Sequence, residues 1–122
     1  MNAMRPLVTI VDDDQSVRES LPDLLVECGF SVRAFSSAEE FLTSDCVGAA
    51  GCLILDMAMP GMSGLELQRE LSRSGRRIPI VFITGNCDEA TRTLALSRGA
   101  VDCLYKPFSD SVLLAALRAA FH

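Results

Sequence analysis

Short apolar runs and amphipathic stretches alternate five times along this chain, and that alternation leaves few architectures open. Leu7–Val11 is apolar apart from Thr9 and lies between Pro6 and Asp12. So short a run suits a strand buried on both faces. Val17, Leu21, Leu24, Leu25 and Cys28 follow at the spacing of one helix face, and Gly29 is a natural stop. Pro22 lies inside that helix, where it removes a hydrogen bond and should bend the axis, at a cost of about 3 kcal/mol if unrelieved. The cycle then repeats. Residues 30–35 predict a strand, and Ser37 with Glu40 forms a capping-box pair opening a short helix. Residues 52–55 give a third strand, and Ser63 with Glu66 caps a helix carrying Leu67 and Leu71 on one face. Residues 79–83 give a fourth strand, before a helix from about Asp88 to Ser97 that Gly99 ends. Residues 101–105 form the fifth strand, and Ser109 begins a last helix bearing Leu113, Leu114, Leu117 and Phe121.

Five strands alternating with five helices imply right-handed crossovers and an all-parallel sheet covered on both faces. The predicted class is doubly wound α/β, flavodoxin-like, with strand order 2-1-3-4-5. The 122 residues, 49% of them hydrophobic and 22% charged, supply one core, and no linker or repeat divides residues 1–122. A net charge of −5 disfavours nucleic-acid binding by this segment. The apolar runs are too short to span a membrane, and residues 1–6 lead into no secretory signal, so a soluble, cytoplasmic chain is expected. The five cysteines form no C-x-x-C pair and are expected to be free thiols. The only histidine, His122, is terminal, which removes zinc spacings and histidine catalysis.

In such a sheet, ligands bind at the carboxyl ends of the strands, where strand order reverses. Asp12, Asp13 and Asp14 follow the first strand, Asp56 the third, Thr84 the fourth and Lys106 the fifth. Neighbouring strands lie about 4.8 Å apart, so Asp12, Asp13 and Asp56 can converge on one ion. Crowded carboxylates repel one another unless a cation neutralises them. Oxygen ligands without histidine or cysteine select a hard cation, and magnesium suits a compact site that keeps several waters. With a lysine to balance the remaining charge, the set fits metal-assisted phosphoryl transfer. Each residue has a plainer reading: Asp14 as a helix cap, Asp56 as the start of a turn, Thr84 as a loop residue, Lys106 as a solvated charge. Their arrival at successive strand ends on one edge favours the functional reading.

These residues also carry a resemblance. Ile10-Val11-Asp12-Asp13-Asp14, Asp56-Met57-Ala58-Met59-Pro60-Gly61-Met62-Ser63-Gly64, Ile83-Thr84-Gly85 and Lys106-Pro107-Phe108 are similar, in order and spacing, to the receiver domains of two-component response regulators. Phe82-Ile83-Thr84-Gly85 and Gly99-Ala100-Val101-Asp102 resemble the FixJ-like group of LuxR-type regulators. The resemblance implies a signalling module rather than an enzyme, in which Asp56 is the nucleophile that takes a phosphoryl group from a sensor histidine kinase. Asp13 and Asp56 would hold magnesium directly, Asp12 through water, and the backbone carbonyl of Ala58 would complete the protein ligands. Lys106 would pair with Asp56 and then with a phosphoryl oxygen, Thr84 would give that group a hydroxyl, and the Lys106–Pro107 bond would be cis. Phosphorylation would switch the surface of helix four, strand five and helix five and favour a homodimer, controlling a DNA-binding output in a longer protein.

Two departures stand out. Pro22 interrupts the first helix, and Cys103 occupies the position where many members carry an aromatic switch residue. Tyr105, on the same strand face as Cys103, is expected to supply aromatic surface near helix four, with coupling through Thr84. Three other readings compete. A magnesium-dependent phosphohydrolase would need a general acid, and the D-x-D arrangement that could supply one is absent, since residue 58 is Ala58. A phosphorylation-independent pseudo-receiver would not need the intact acidic, threonine and lysine set. A flavin binder would need a glycine-rich loop or an aromatic pair after the first strand.

Overall fold

The computed structural model describes residues 5–121. The elements run β1 Leu7–Val11, α1 Gln15–Glu27, β2 Ser31–Phe35, α2 Ala38–Leu42, β3 Cys52–Asp56, α3 Gly64–Arg73, β4 Ile80–Thr84, α4 Glu89–Ser97, β5 Asp102–Tyr105 and α5 Asp110–Ala120. All strand pairs are parallel, and the order is β2-β1-β3-β4-β5, as the alternation predicts.

Strand alternation divides the core between two faces of the sheet. Val11, Leu53, Leu55, Phe82 and Cys103 pack on one face with Phe41 and Leu67. Val8, Ile10, Ile54, Ile83 and Leu104 pack on the other with Leu25, Leu113 and Leu117. Every residue of β3 and β4 is buried, the condition of central strands under helices on both sides. The edge strand β2 buries only Phe35 fully.

The caps follow from local chemistry. Ser63 accepts a hydrogen bond from the Glu66 amide while the Glu66 carboxylate accepts from the Ser63 amide, a complete capping box. Ser37 caps the Glu40 amide in the same way, but the Glu40 carboxylate turns to the amide of Ser36.

Several expectations shift by a residue or more. Asp56 and Thr84 are the last residues of their strands, and Asp88 is the α4 cap. α1 runs without a break through Pro22, and Cys28 is its exposed C-cap, not part of the buried face formed by Leu21 and Leu25. A 3-10 turn at Asp45–Gly48, too short to show a periodicity, precedes β3.

Thr9, the one polar residue of β1, is fully buried, and its hydroxyl has no hydrogen-bond partner among the described residues. Such a group costs about 1–3 kcal/mol. Thr9→Val is therefore expected to stabilise the fold by about 1 kcal/mol and raise the melting midpoint by a few degrees. A midpoint equal to or below that of the parent would show that the hydroxyl is satisfied.

Candidate functional site

The register sets the carboxyl ends of the strands side by side: Val11 pairs with Leu55, Asp56 with Ile83, and Thr84 with Tyr105. The chain then fastens each end to its neighbour. The Met57 amide donates to the Ile83 carbonyl at 3.0 Å, and the Lys106 amide donates to the Thr84 carbonyl at 2.7 Å.

Asp12 is wholly buried. One carboxylate oxygen accepts the Asp14 amide at 2.9 Å, and the other accepts the Lys106 ammonium at 3.0 Å. The Asp12 carbonyl accepts from the Arg18 guanidinium at 2.9 Å. Asp14 serves as the α1 cap, accepting from the Ser16 amide. Asp13 is exposed, and carboxylate oxygens of Asp12, Asp13 and Asp56 lie within 4.8 Å of one another. The expected pairing of Lys106 with Asp56 is the looser of its two contacts, at 4.0 Å, because Asp12 holds the ammonium more closely.

Burial, and then the charge of Asp12, push the Asp56 carboxyl up to about 7 against the pull of Lys106. Burial lowers Lys106, but its hydrogen bond to Asp12 and the charges of Asp12, Asp56 and Asp14 outweigh this and raise it overall. The site thus holds more negative charge than one ammonium balances. Its donors are all oxygen, the set that fits a hard divalent cation such as magnesium.

Thr84 is buried, and its hydroxyl oxygen accepts from the Asn86 amide at 3.2 Å. Ala58 is exposed in the loop two residues beyond Asp56. The Lys106–Pro107 bond is cis, as the resemblance implies. Cys103 is buried in the core, where burial above all, with the neighbouring Cys87 thiol, raises its own thiol to about 11. Tyr105 is exposed, and its hydroxyl meets the Cys87 thiol of the β4–α4 loop at 3.9 Å. The aromatic ring at this face is therefore on Tyr105, two residues beyond Cys103.

The structural roles of three residues that support the site, Gly64 of the receiver-like motif among them, were not read from the sequence. A Cβ on Gly64 would collide with the Asp56 carbonyl oxygen, and the Gly64 amide donates to the Met57 carbonyl at 3.0 Å. A glycine that opens a helix instead of ending it was the available signal. The Glu39 carboxylate accepts from the Met62 amide at 3.0 Å and lies against Gly61, whose φ of 76° favours glycine. Arg18 is the third, through its bond to the Asp12 carbonyl; nothing in its spacing marked it.

Residues 8–118 match the response regulator receiver domain family. The chain belongs to that family. Response regulator protein TodT of Pseudomonas putida is 47% identical over 120 residues, covering 98% of this chain and 53% of TodT. A crystal structure of FixJ-N superposes with a TM-score of 0.86 at 40% identity, covering 98% of this chain and 95% of that one. The structure of response regulator StyR gives 0.89 at 46% identity, covering 97% of this chain and 60% of StyR. The chain thus has the fold and family of a receiver with FixJ-like relatives, and it spans about half the length of the curated relatives it matches. No helix among the described residues is long and apolar enough to cross a membrane.

The raised Asp56 carboxyl links stability to pH. Between its ordinary value of 3.8 and about 7, the metal-free folded protein keeps a proton that the unfolded chain has lost. Stability from this group is therefore greatest in acid and falls as pH rises through that window. Asp56→Asn is expected to gain on the parent progressively from pH 4 to 7 in urea melts without divalent cations. Parallel stability curves would contradict it.

Proposed function

We propose that Asp56 is the phosphoacceptor of a magnesium-dependent signalling reaction, and that the convergence of Asp12, Asp13 and Asp56 beside Lys106 carries this reading. An Asp56 carboxylate oxygen attacks the phosphorus of a phosphohistidine on a sensor kinase. The P–N bond breaks, an acyl phosphate forms, and the histidine nitrogen leaves with the electron pair and takes a proton.

Asp13 and Asp56 would be the direct carboxylate ligands and Asp12 would act through water, a reading supported by the protein donors already on both Asp12 oxygens. The Ala58 carbonyl would be the remaining protein ligand. When bound, magnesium supplies dispersal of the charge on the transferring group. Lys106, held by Asp12 and not yet in close contact with Asp56, is available to meet a phosphoryl oxygen. The Thr84 hydroxyl accepts from the Asn86 amide, so its own proton is free for a phosphoryl oxygen, and that bond would draw on the β4–α4 loop.

Residues 1–122 form one receiver module, soluble and cytoplasmic, that signals without an enzymatic output of its own. Its partners are a sensor histidine kinase and, once phosphorylated, a second copy through the α4–β5–α5 surface. In a longer protein it governs a DNA-binding transcription output without touching DNA itself. The FixJ-like relatives and the exposed Leu94, Tyr105 and Val112 on that surface support this.

Acetyl phosphate with magnesium is expected to add one phosphoryl group to the protein, read by intact mass. Asp56→Asn should remain unmodified. Equal modification of that variant would sink the assignment.

A further inference from the structure

A cavity of about 580 Å³ opens at the amino-terminal edge of the sheet, near Pro79 and Val101, opposite the end that carries Asp56. A second, of about 340 Å³, shares Gln68, Ser72 and Arg98 with it. Arg76 and Arg77 line the first, and Arg69 and Arg73 the second. Five of the chain's eleven basic residues therefore gather on one cleft of a chain whose net charge is −5. No aspartate or glutamate is among the described residues that line either cavity.

Helix dipoles explain part of this charge, because Arg73 stands in the last turn of α3 and Arg98 at the C-cap of α4. Arg73 also pairs with Glu70 at 3.0 Å. Arg69, Arg76, Arg77 and Arg98 pair with no carboxylate among the described residues. Gln68 adds an independent observation. It is 5% exposed, its amide nitrogen donates to the Ala95 carbonyl at 3.1 Å, and its amide oxygen has no donor among the described residues. A buried acceptor without a donor is uncommon in folded proteins, and this one belongs to the wall shared by both cavities.

We propose that this cleft binds a small phosphate-bearing anion with the chemistry of a nucleoside polyphosphate. Guanidinium forks suit phosphoryl oxygens. The Gln68 oxygen is itself buried, so the side chain turns toward the cleft to accept a hydrogen bond from a donor on the organic part of the ligand. A cavity of about 580 Å³ lies within the roughly 300–1,000 Å³ that small-molecule ligands occupy.

The test is an amide-resolved NMR titration of the chain at constant ionic strength with EDTA present, which keeps magnesium from drawing phosphate to Asp56. The probes are ATP, inorganic triphosphate and sulfate. ATP is expected to give saturable shifts at Ser72, Gly75, Arg98 and Gly99, leaving Asp13 and Thr84 unmoved. Triphosphate should bind more weakly, and sulfate should not saturate. Arg69→Ala and Arg98→Ala, both at exposed positions, should each weaken ATP binding by roughly tenfold, in line with one charge-assisted hydrogen bond, with amide dispersion unchanged. Four results would each overturn the proposal: no saturable shifts in the cleft, sulfate matching ATP, triphosphate binding as tightly as ATP, or undiminished binding by both variants.

Discussion

Three carboxylates at one edge of a parallel sheet repel one another, and the carboxyl end of this structure is organised around that repulsion. Asp12 cannot be relieved by solvent because it is wholly buried, so the Asp14 amide and the Lys106 ammonium occupy its two oxygens. Lys106 reaches it from the far end of β5, across 94 residues of sequence, and the backbone bond from Lys106 to Thr84 holds that strand end in place. Asp56 receives less relief. Burial and the Asp12 charge outweigh a lysine 4.0 Å away, and its proton is held up to about 7. The carboxyl edge therefore carries repulsion that a hard divalent ion among oxygen donors would offset.

The surrounding loops matter because the repelling groups must be kept together. Gly64 lets α3 begin directly against the carbonyl of Asp56, a fit that a single added carbon would break. Glu39, from α2, anchors the β3–α3 loop through the Met62 amide. The β4–α4 loop is tied to Thr84 by the Asn86 amide and touches Tyr105 through Cys87. The loop thus lies between Thr84 and the exposed ring of Tyr105, and Cys103 is packed in the core.

Much of this was legible in the sequence. The five-fold alternation specified the sheet, and the acids, threonine and lysine fall at strand ends on the sequence pattern alone. What escaped it depends on separations in space that no period encodes. The choice of Lys106 for Asp12 over Asp56 follows from three-dimensional distance alone. Gly64 belongs to the motif that carries the resemblance, but the reason for a glycine there appears only when the Asp56 carbonyl lies beneath it. Pro22 lies inside a continuous α1, as its place in the apolar periodicity implied, with Leu21 and Leu25 on the buried face. The basic cleft was also invisible, because its arginines come from α3, the loop after it and the end of α4.

The proposal that the carboxyl edge binds magnesium is tested most directly by thermal melts with increasing magnesium, comparing the parent with Asp13→Asn. Asp13 is exposed, so its amide variant should fold as the parent does. The account predicts that millimolar magnesium raises the parent's midpoint by mass action and that Asp13→Asn loses most of the rise. An equal rise in both proteins, or none in the parent, would contradict it.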